Sequence, residues 1–596
     1  MSDESEVRVP DIGDFTDVPV IEIHVSPGDE VSPEDPLVTL ESDKATMDVP
    51  SPLQGIVKQL RVQIGDRVSE GSVLLTAEAD SAGPSPDAST ATETDRRDGG
   101  SGQEPAQEEA AEASVQREPE PPGGEDGAGE RDTQVVVLGS GPGGYTAAFR
   151  AADLGLKTTL VERYETLGGV CLNVGCIPSK ALLHAARVIA ETEEMGANGV
   201  AFGKPKIDLA KLLGWKEAIV DKLTGGLAGL ARQRKVEVVT GEGKLTGAHE
   251  LTVGDRTITF ENCIIAAGSQ AAWLPDLPED PRIVDSTGAL SPGEIPKRLL
   301  VVGGGIIGLE MATVYDGLGA KITVVELLDQ LIPGCDGDLV RVLQKRITPR
   351  YEAIKLGTKV TEVKAQKNGL KASFSDDTTQ IFDRILVAVG RAPNGRAIGA
   401  DSAGVEVDER GFIPVDAQLR TNVSNLYAVG DIAGGPLLAH KAFHQGSAAA
   451  EVIAGIPGAS YDPRTVPSVA YTDPEIAWMG LTETEARDKE IAYEKAVFPW
   501  GASGRALGLA RDDGLTKLLF EPESKRLLGA GIVGVNAGEL VAETVHALEM
   551  GADVEDLALT IHPHPTLSET VGLAAEMAHG MITDLMPPRA TRGARA

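Results

Sequence analysis

The chain has 596 residues, enough for roughly three to five domains, and its formal charge of −35 argues against nucleic acid and anionic membrane as partners. Its start, Met1 to Glu6, is acidic and lacks the basic and apolar regions of a secretory signal. No apolar run is long enough for a membrane span, so a cytoplasmic location is expected, where a close cysteine pair is catalytic rather than structural.

Residues 1–78 read as short alternating strands broken by turn residues. The stretch Val25-Ser26-Pro27-Gly28-Asp29-Glu30-Val31 returns as Val62-Gln63-Ile64-Gly65-Asp66-Arg67-Val68. That echo predicts a quasi-two-fold β-sandwich of two similar halves. Between the halves lies Glu41-Ser42-Asp43-Lys44-Ala45-Thr46-Met47, whose polar residues put Lys44 at an exposed hairpin tip. Residues 79–131 contain no aromatic, Leu or Ile and are dominated by Pro, Ala, Gly, Glu and Asp. Such a segment cannot bury enough surface to offset its ordering entropy and is predicted to be a disordered linker.

A strand-like Val135-Val136-Val137-Leu138 then runs into Gly139-x-Gly141-x-x-Gly144, with a helix read from Ala147 to Leu154. Glu162 ends the next strand, Thr158 to Val161. Leu299 to Val302 repeats the pattern with Gly303-x-Gly305-x-x-Gly308, and the strand Lys321 to Val325 leads to Glu326. In both units the acid stands the same distance beyond the first glycine. Glycines let the backbone approach a pyrophosphate at the helix start, and the acid takes a ribose hydroxyl, so two Rossmann-like dinucleotide sites are predicted. Glu326 repels a 2′-phosphate and Leu327 and Leu328 offer no arginine to bind one, which favours NAD over NADP.

Beside the first fingerprint stands Gly168-Gly169-Val170-Cys171-Leu172-Asn173-Val174-Gly175-Cys176-Ile177-Pro178-Ser179-Lys180. Two thiols this close can cycle between disulfide and dithiol, with a flavin beside them exchanging electrons. FAD is therefore placed at the first fingerprint and NAD at the second. Cys263 and Cys335 sit in apolar or turn contexts and are expected to be unpaired. Asp431, after Tyr427-Ala428-Val429-Gly430, is a further candidate flavin contact. Near the C-terminus, His562-Pro563-His564-Pro565-Thr566-Leu567-Ser568-Glu569 offers a general base, with Glu569 orienting the imidazole. His564, flanked by prolines, is preferred and His562 competes. Thr566 to Glu569 also reads as a capping box for the following helix.

Two resemblances join these motifs. Asp43-Lys44-Ala45, with Val49-Pro50-Ser51-Pro52 after it, resembles the lipoylation site of lipoyl domains, most like those of pyruvate dehydrogenase complexes; biotin carriers have Met on both sides of the lysine. Residues 132–580, through the cysteine motif, both fingerprints and the histidine, resemble dihydrolipoamide dehydrogenases. The chain thus looks like the E3 component of a 2-oxo acid dehydrogenase complex with its own lipoyl arm.

The resemblance implies a fold class of α/β with two Rossmann-like domains and an α+β interface domain, preceded by the all-β lipoyl domain on its linker. The expected order is 1–78 lipoyl, 79–131 linker, 132–272 FAD-binding, 273–398 NAD-binding, 399–464 completing the FAD site and 465–596 interface, opening near Tyr471-Thr472-Asp473-Pro474-Glu475. FAD is expected against Glu162 through Cys171, Lys180, Gly243, Asp431 and Ala439. NAD is expected against Gly303 to Gly308, Glu326, Val360 and Ala388 to Arg391, which includes Gly390. Lys44 carries covalent lipoate. Val170 and Ala267 depart from the family pattern without removing a reactive group.

The implied chemistry takes dihydrolipoamide in: His564 removes a thiol proton, the substrate thiolate attacks Cys171, and Cys176 passes electrons by way of FAD to NAD⁺. Lys180 and the helix start keep a thiolate ionised, and Lys180 pairs with Glu310. His564 comes from the partner of a homodimer, so each site is shared. E1 and E2 components are the expected partners of the arm and the enzyme. Glutathione reductase-like enzymes prefer NADPH and have no lipoyl domain, so Glu326 and Lys44 count against them. Mercuric reductase needs C-terminal thiols that are missing here, and a lipoyl-bearing scaffold without catalysis would not need this set of residues.

Overall fold

A computed structural model describes residues 4–9, 18–31, 35–41, 46–69, 71–79 and 131–586, in two separate units. The linker expectation for 79–131 falls almost wholly outside the described residues; Ala79 still belongs to a strand.

The first unit is a sandwich of two antiparallel four-stranded sheets. One holds Glu4–Arg8, Val73–Ala79, Gly55–Leu60 and Glu30–Val31. The other holds Thr46–Pro50, Pro36–Glu41, Val18–Ile23 and Arg67–Val68. Val20, Leu37, Val38, Leu40, Leu74 and Leu75 fill the interior. The sequence echo is a structural repeat. Asp29 accepts the N–H of Ser26 at 2.8 Å, and Asp66 accepts that of Gln63 at 2.8 Å. Gly28 and Gly65 both take a positive φ that an L side chain resists, so each turn needs its glycine. The strands flanking the lysine tripeptide pair until Glu41 faces Thr46. Lys44 itself lies outside the described residues.

In the second unit, the strands Glu237–Thr240, Thr158–Glu162, Thr133–Leu138 and Arg256–Ile265 lie side by side, and Leu426–Ala428 joins the last in parallel. Residues far apart in sequence thus complete one sheet. A second, wholly parallel sheet runs Ile283–Val284, Arg384–Val387, Arg298–Val302, Lys321–Val325 and Ala353–Lys355. Its strands are nearly unbroken aliphatic runs because both faces are covered. The C-terminal region is a five-stranded antiparallel sheet with helices against it. Its core around Phe498, Trp500 and Ile532 is separate, but Ala470, Ile476 and Val533 extend the core of the second parallel sheet. No helix among the described residues is long and apolar enough to cross a membrane.

The helix read from Ala147 starts earlier and spans Pro142–Asp153. Proline at its first position is compatible with a helix start, because the N–H it lacks has no partner there in any case. The strand Lys321–Val325 falls where expected.

Candidate active site

Both fingerprints open into one cavity of about 1990 Å³, which also receives Cys171, Cys176, Lys180, Gly243, Asp431 and Ala439. The two nucleotide units are built alike. A Cβ on Gly139 would lie 2.5 Å from the Ala266 carbonyl oxygen, and one on Gly303 2.3 Å from that of Ala388. A Cβ on Gly144 or Gly308 would strike the carbonyl of the unit's own first glycine. Packing against the protein therefore accounts for the first and third glycines of each unit. The middle ones differ. Gly141 and Gly305 have φ of −64° and −77°, and a Cβ there would meet nothing within 4 Å. No protein atom calls for glycine at these positions, yet both line the cavity, as expected where a ligand's pyrophosphate must come close.

The acids match equally well. Glu162 accepts the N–H of Ser140 at 2.9 Å and that of Tyr164 at 3.1 Å. Glu326 accepts those of Gly304 at 2.7 Å and Leu328 at 2.9 Å. Each carboxylate is locked between the fingerprint turn and the end of its strand, facing the cavity. Leu327 and Leu328 are exposed and line the cavity, and Lys359 lines it next to them. Val360 and Gly390 line the same end.

Cys171 lies in the short helix Gly169–Val174, and Cys176 begins the next, Cys176–Glu194. Both are free, half-buried thiols joined by a hydrogen bond. That bond holds the Cys176 thiol below its ordinary value against the opposing effect of burial, and the Lys180 ammonium lowers it further. Cys171, as donor of the bond, is pushed up by it and by burial. Lys180 donates to both oxygens of Glu310 at 3.0 and 2.9 Å, the pairing the resemblance implies. Cys263 and Cys335 are buried and free, as expected.

The Pyridine nucleotide-disulphide oxidoreductase family matches residues 133–446, and its dimerisation domain matches 466–575. The chain belongs to this family. A Biotin-requiring enzyme domain matches residues 5–76. Among relatives, the dihydrolipoyl dehydrogenase of Vibrio cholerae is 56% identical over 472 residues, which is 78% of this chain and 99% of that protein. That of Haemophilus influenzae is 56% identical over 76% of this chain and 97% of its own length. Two solved structures share the fold. The HOCl-induced flavoprotein disulfide reductase RclA of Escherichia coli has 26% identity and a TM-score of 0.68, covering 74% of this chain and 99% of that one. LpdA of Mycobacterium tuberculosis has 25% identity and a TM-score of 0.69, with the same coverage.

Oxidoreductases of this family use FAD and a nicotinamide dinucleotide, and the cavity with its two glycine cradles and two acids fits both. The dimerisation domain marks the chain as a homodimer. His564 is not among the residues lining the cavity of its own chain. It is 81% exposed, and Glu569 engages its Nδ1 at 2.7 Å. His562 is instead half-buried and bound to Glu543 at 2.7 Å through Nε2. The capping box is only half made. Glu569 accepts the Thr566 N–H at 2.6 Å, but the Thr566 hydroxyl turns to the Pro563 carbonyl, and the helix begins at Glu569 itself. The carboxylate is thus held from two sides and orients the ring.

Around Asp431 stand Ser269 and Lys441, which carry no motif signal, and Arg391, expected in the NAD stretch. Ser269 donates to Asp431, and Arg391 donates from Nε to Ser269 Oγ at 2.6 Å. Lys441, buried two residues after Ala439, donates to the carbonyl of Gly430 at 3.1 Å and also to that of Gly434, bracing the turn that holds Asp431. A lysine on the apolar face of a helix is the one trace it leaves in the sequence.

Proposed function

We propose that the chain oxidises protein-bound dihydrolipoamide to lipoamide and reduces NAD⁺, as the E3 component of a 2-oxo acid dehydrogenase complex, with pyruvate favoured as the acid. It works in the cytoplasm beside E1 and E2 components and carries its own lipoyl arm on Lys44. The observation that carries this reading is the placement of a linked thiol pair, with the Lys180–Glu310 ion pair, in one cavity with both fingerprints.

The residues divide the work. His564, oriented by Glu569, takes the proton of the incoming thiol. Cys171 is the sulfur the carrier thiolate attacks, because this leaves Cys176, which bears negative charge more readily, as the departing thiolate. Cys176, which more readily holds negative charge, keeps the thiolate. Lys180 neutralises that charge, and Glu310 fixes Lys180. Gly139, Gly141, Gly144, Glu162, Gly168, Gly169, Gly243, Asp431 and Ala439 hold FAD, and Gly303, Gly305, Gly308, Glu326, Val360 and Gly390 hold NAD. When bound, FAD relays the electron pair from the thiols to the nicotinamide. His564 lies outside its own chain's cavity, so the partner of a homodimer supplies it to each site.

Serine at either sulfur ends the exchange. Cys171→Ser and Cys176→Ser are each expected to cut dihydrolipoamide-dependent NADH formation by about three orders of magnitude, as loss of a covalent nucleophile does. Steady-state turnover near that of the parent chain in either variant overturns the reading.

A further inference from the structure

The helix bearing Cys176 and Lys180 is gripped along one face by the segment that opens the C-terminal domain. Lys180, Arg187 and Glu194 recur at every seventh position, which places them in one stripe of Cys176–Glu194. The Tyr471 ring faces Lys180 Nζ, 4.4 Å from the ring centre. Arg187 lies 3.7 Å from Glu475 and donates to Asn536 at 2.9 Å. Glu194 shares Arg346 with Asp473. Three rungs therefore tie the redox helix to Tyr471-Thr472-Asp473-Pro474-Glu475. The first rung is doubled, because the backbone N–H of Tyr471 donates at 3.1 Å to the Glu310 oxygen that also accepts from Lys180.

We propose that Tyr471 is a positioning residue for the thiol pair: its ring holds the Lys180 ammonium at Cys176 and so sets how readily the pair ionises. This rests on the reading of Cys171 and Cys176 as the redox pair. A lysine stem has four rotatable carbons, and in a cavity its ammonium otherwise drifts toward water. Glu310 fixes one side of the ammonium and the aromatic face closes another. The groups acting on the thiols are Lys180, one turn beyond Cys176 on its helix, Glu310 from the NAD-binding domain and Tyr145 from the first Rossmann helix, and Tyr471 reaches them through Lys180. Of these only Lys180 is a cation, so its average position governs the field at sulfur. Glu310 opposes it, and a displaced ammonium leaves that carboxylate less well screened.

The test is the pH dependence of alkylation by iodoacetamide in the reduced holoenzyme, with peptide mapping to assign the modified cysteine. The two thiols titrate as a pair, so modification at either reports the same first ionisation. Tyr471→Met keeps bulk but loses the aromatic face. It is expected to move the midpoint upward and lower the rate at pH 7 about threefold, within the range of a cation–π contact. Tyr471→Phe keeps the face and is expected to match the parent chain. A methionine variant that titrates like the parent overturns the proposal. So does a phenylalanine variant that is shifted, and this second outcome can be read even if the first variant does not fold. Neither measurement needs lipoamide turnover, so failure of the proposed reaction and failure of this inference are told apart.

Discussion

Glu162 and Glu326 do the same physical job in the two nucleotide units. Each accepts one N–H from the fingerprint turn and another from just beyond its own strand. The spacing that made them visible in the sequence exists because strand, turn and helix lengths bring the carboxylate back to the first turn. At Glu326 the charge also sets the choice of dinucleotide. Glu326→Gln keeps an acceptor but removes the repulsion of a 2′-phosphate. Its expected effect is to raise kcat/KM with NADP⁺ by about tenfold relative to NAD⁺, on the order of 1.4 kcal/mol, in competition kinetics with both nucleotides. Asp431 was visible as an acid after a strand and Arg391 only as part of the NAD stretch, whereas Ser269 and Lys441 were not singled out; the structure brings Arg391 through Ser269 to Asp431. They come from three separate stretches of chain and meet only through the fold.

Among elements, the junction between the NAD-binding and C-terminal domains turns on one buried cation. Lys517, with 2% of its side chain exposed, donates to Asp336 at 2.7 Å, Asp338 at 2.8 Å and Glu483 at 2.9 Å. The three carboxylates have the spacing of a metal site, but the ammonium already occupies their centre. Two of them come from the NAD-binding side and the lysine and third acid from the C-terminal side, so the cluster joins the domains. Lys517→Met leaves these acids without their buried cation and is expected to cost about 3–5 kcal/mol, read by urea unfolding of the purified dimer. The pH dependence has a definite sign. Burial pushes Glu483 up, but hydrogen bonds from Lys517 and Lys495 outweigh it and hold the carboxyl down at about 2. A depressed carboxyl contributes stability above its unfolded value of about 4.3. That contribution is lost as pH falls from there toward about 2. The parent chain is therefore expected to lose more stability than Lys517→Met over this window in unfolding curves taken at successive pH values. The junction leaves no mark along the chain, because an isolated lysine in a strand looks the same whether it faces solvent or three acids.

For the molecule as a whole, the expected sharing of sites makes a test possible that single variants do not. A hybrid dimer of one Cys171→Ser chain and one His564→Gln chain has one site with both groups replaced and one with both intact. Mixing the two inactive homodimers under exchange conditions is expected to restore about a quarter of parental turnover, since half the dimers are hybrids and each has one working site of two. No recovery, with exchange verified by mass, would place His564 at its own chain's cysteines. The N-terminal β-sandwich, the twin fingerprints, the cysteine pair and the paired acids were all legible in the chain, because each depends on local geometry: a turn that needs glycine, an alternating strand, or two thiols within a few residues. Lys180 meeting Glu310 was reachable only through resemblance. What the tertiary structure alone decided is how distant segments converge. It pairs Leu426–Ala428 with Cys263–Ile265, commits His562 to Glu543, and lays Tyr471 over Lys180. These contacts join residues whose separation along the chain carries no periodic signal, so packing fixes them and the order of residues does not announce them.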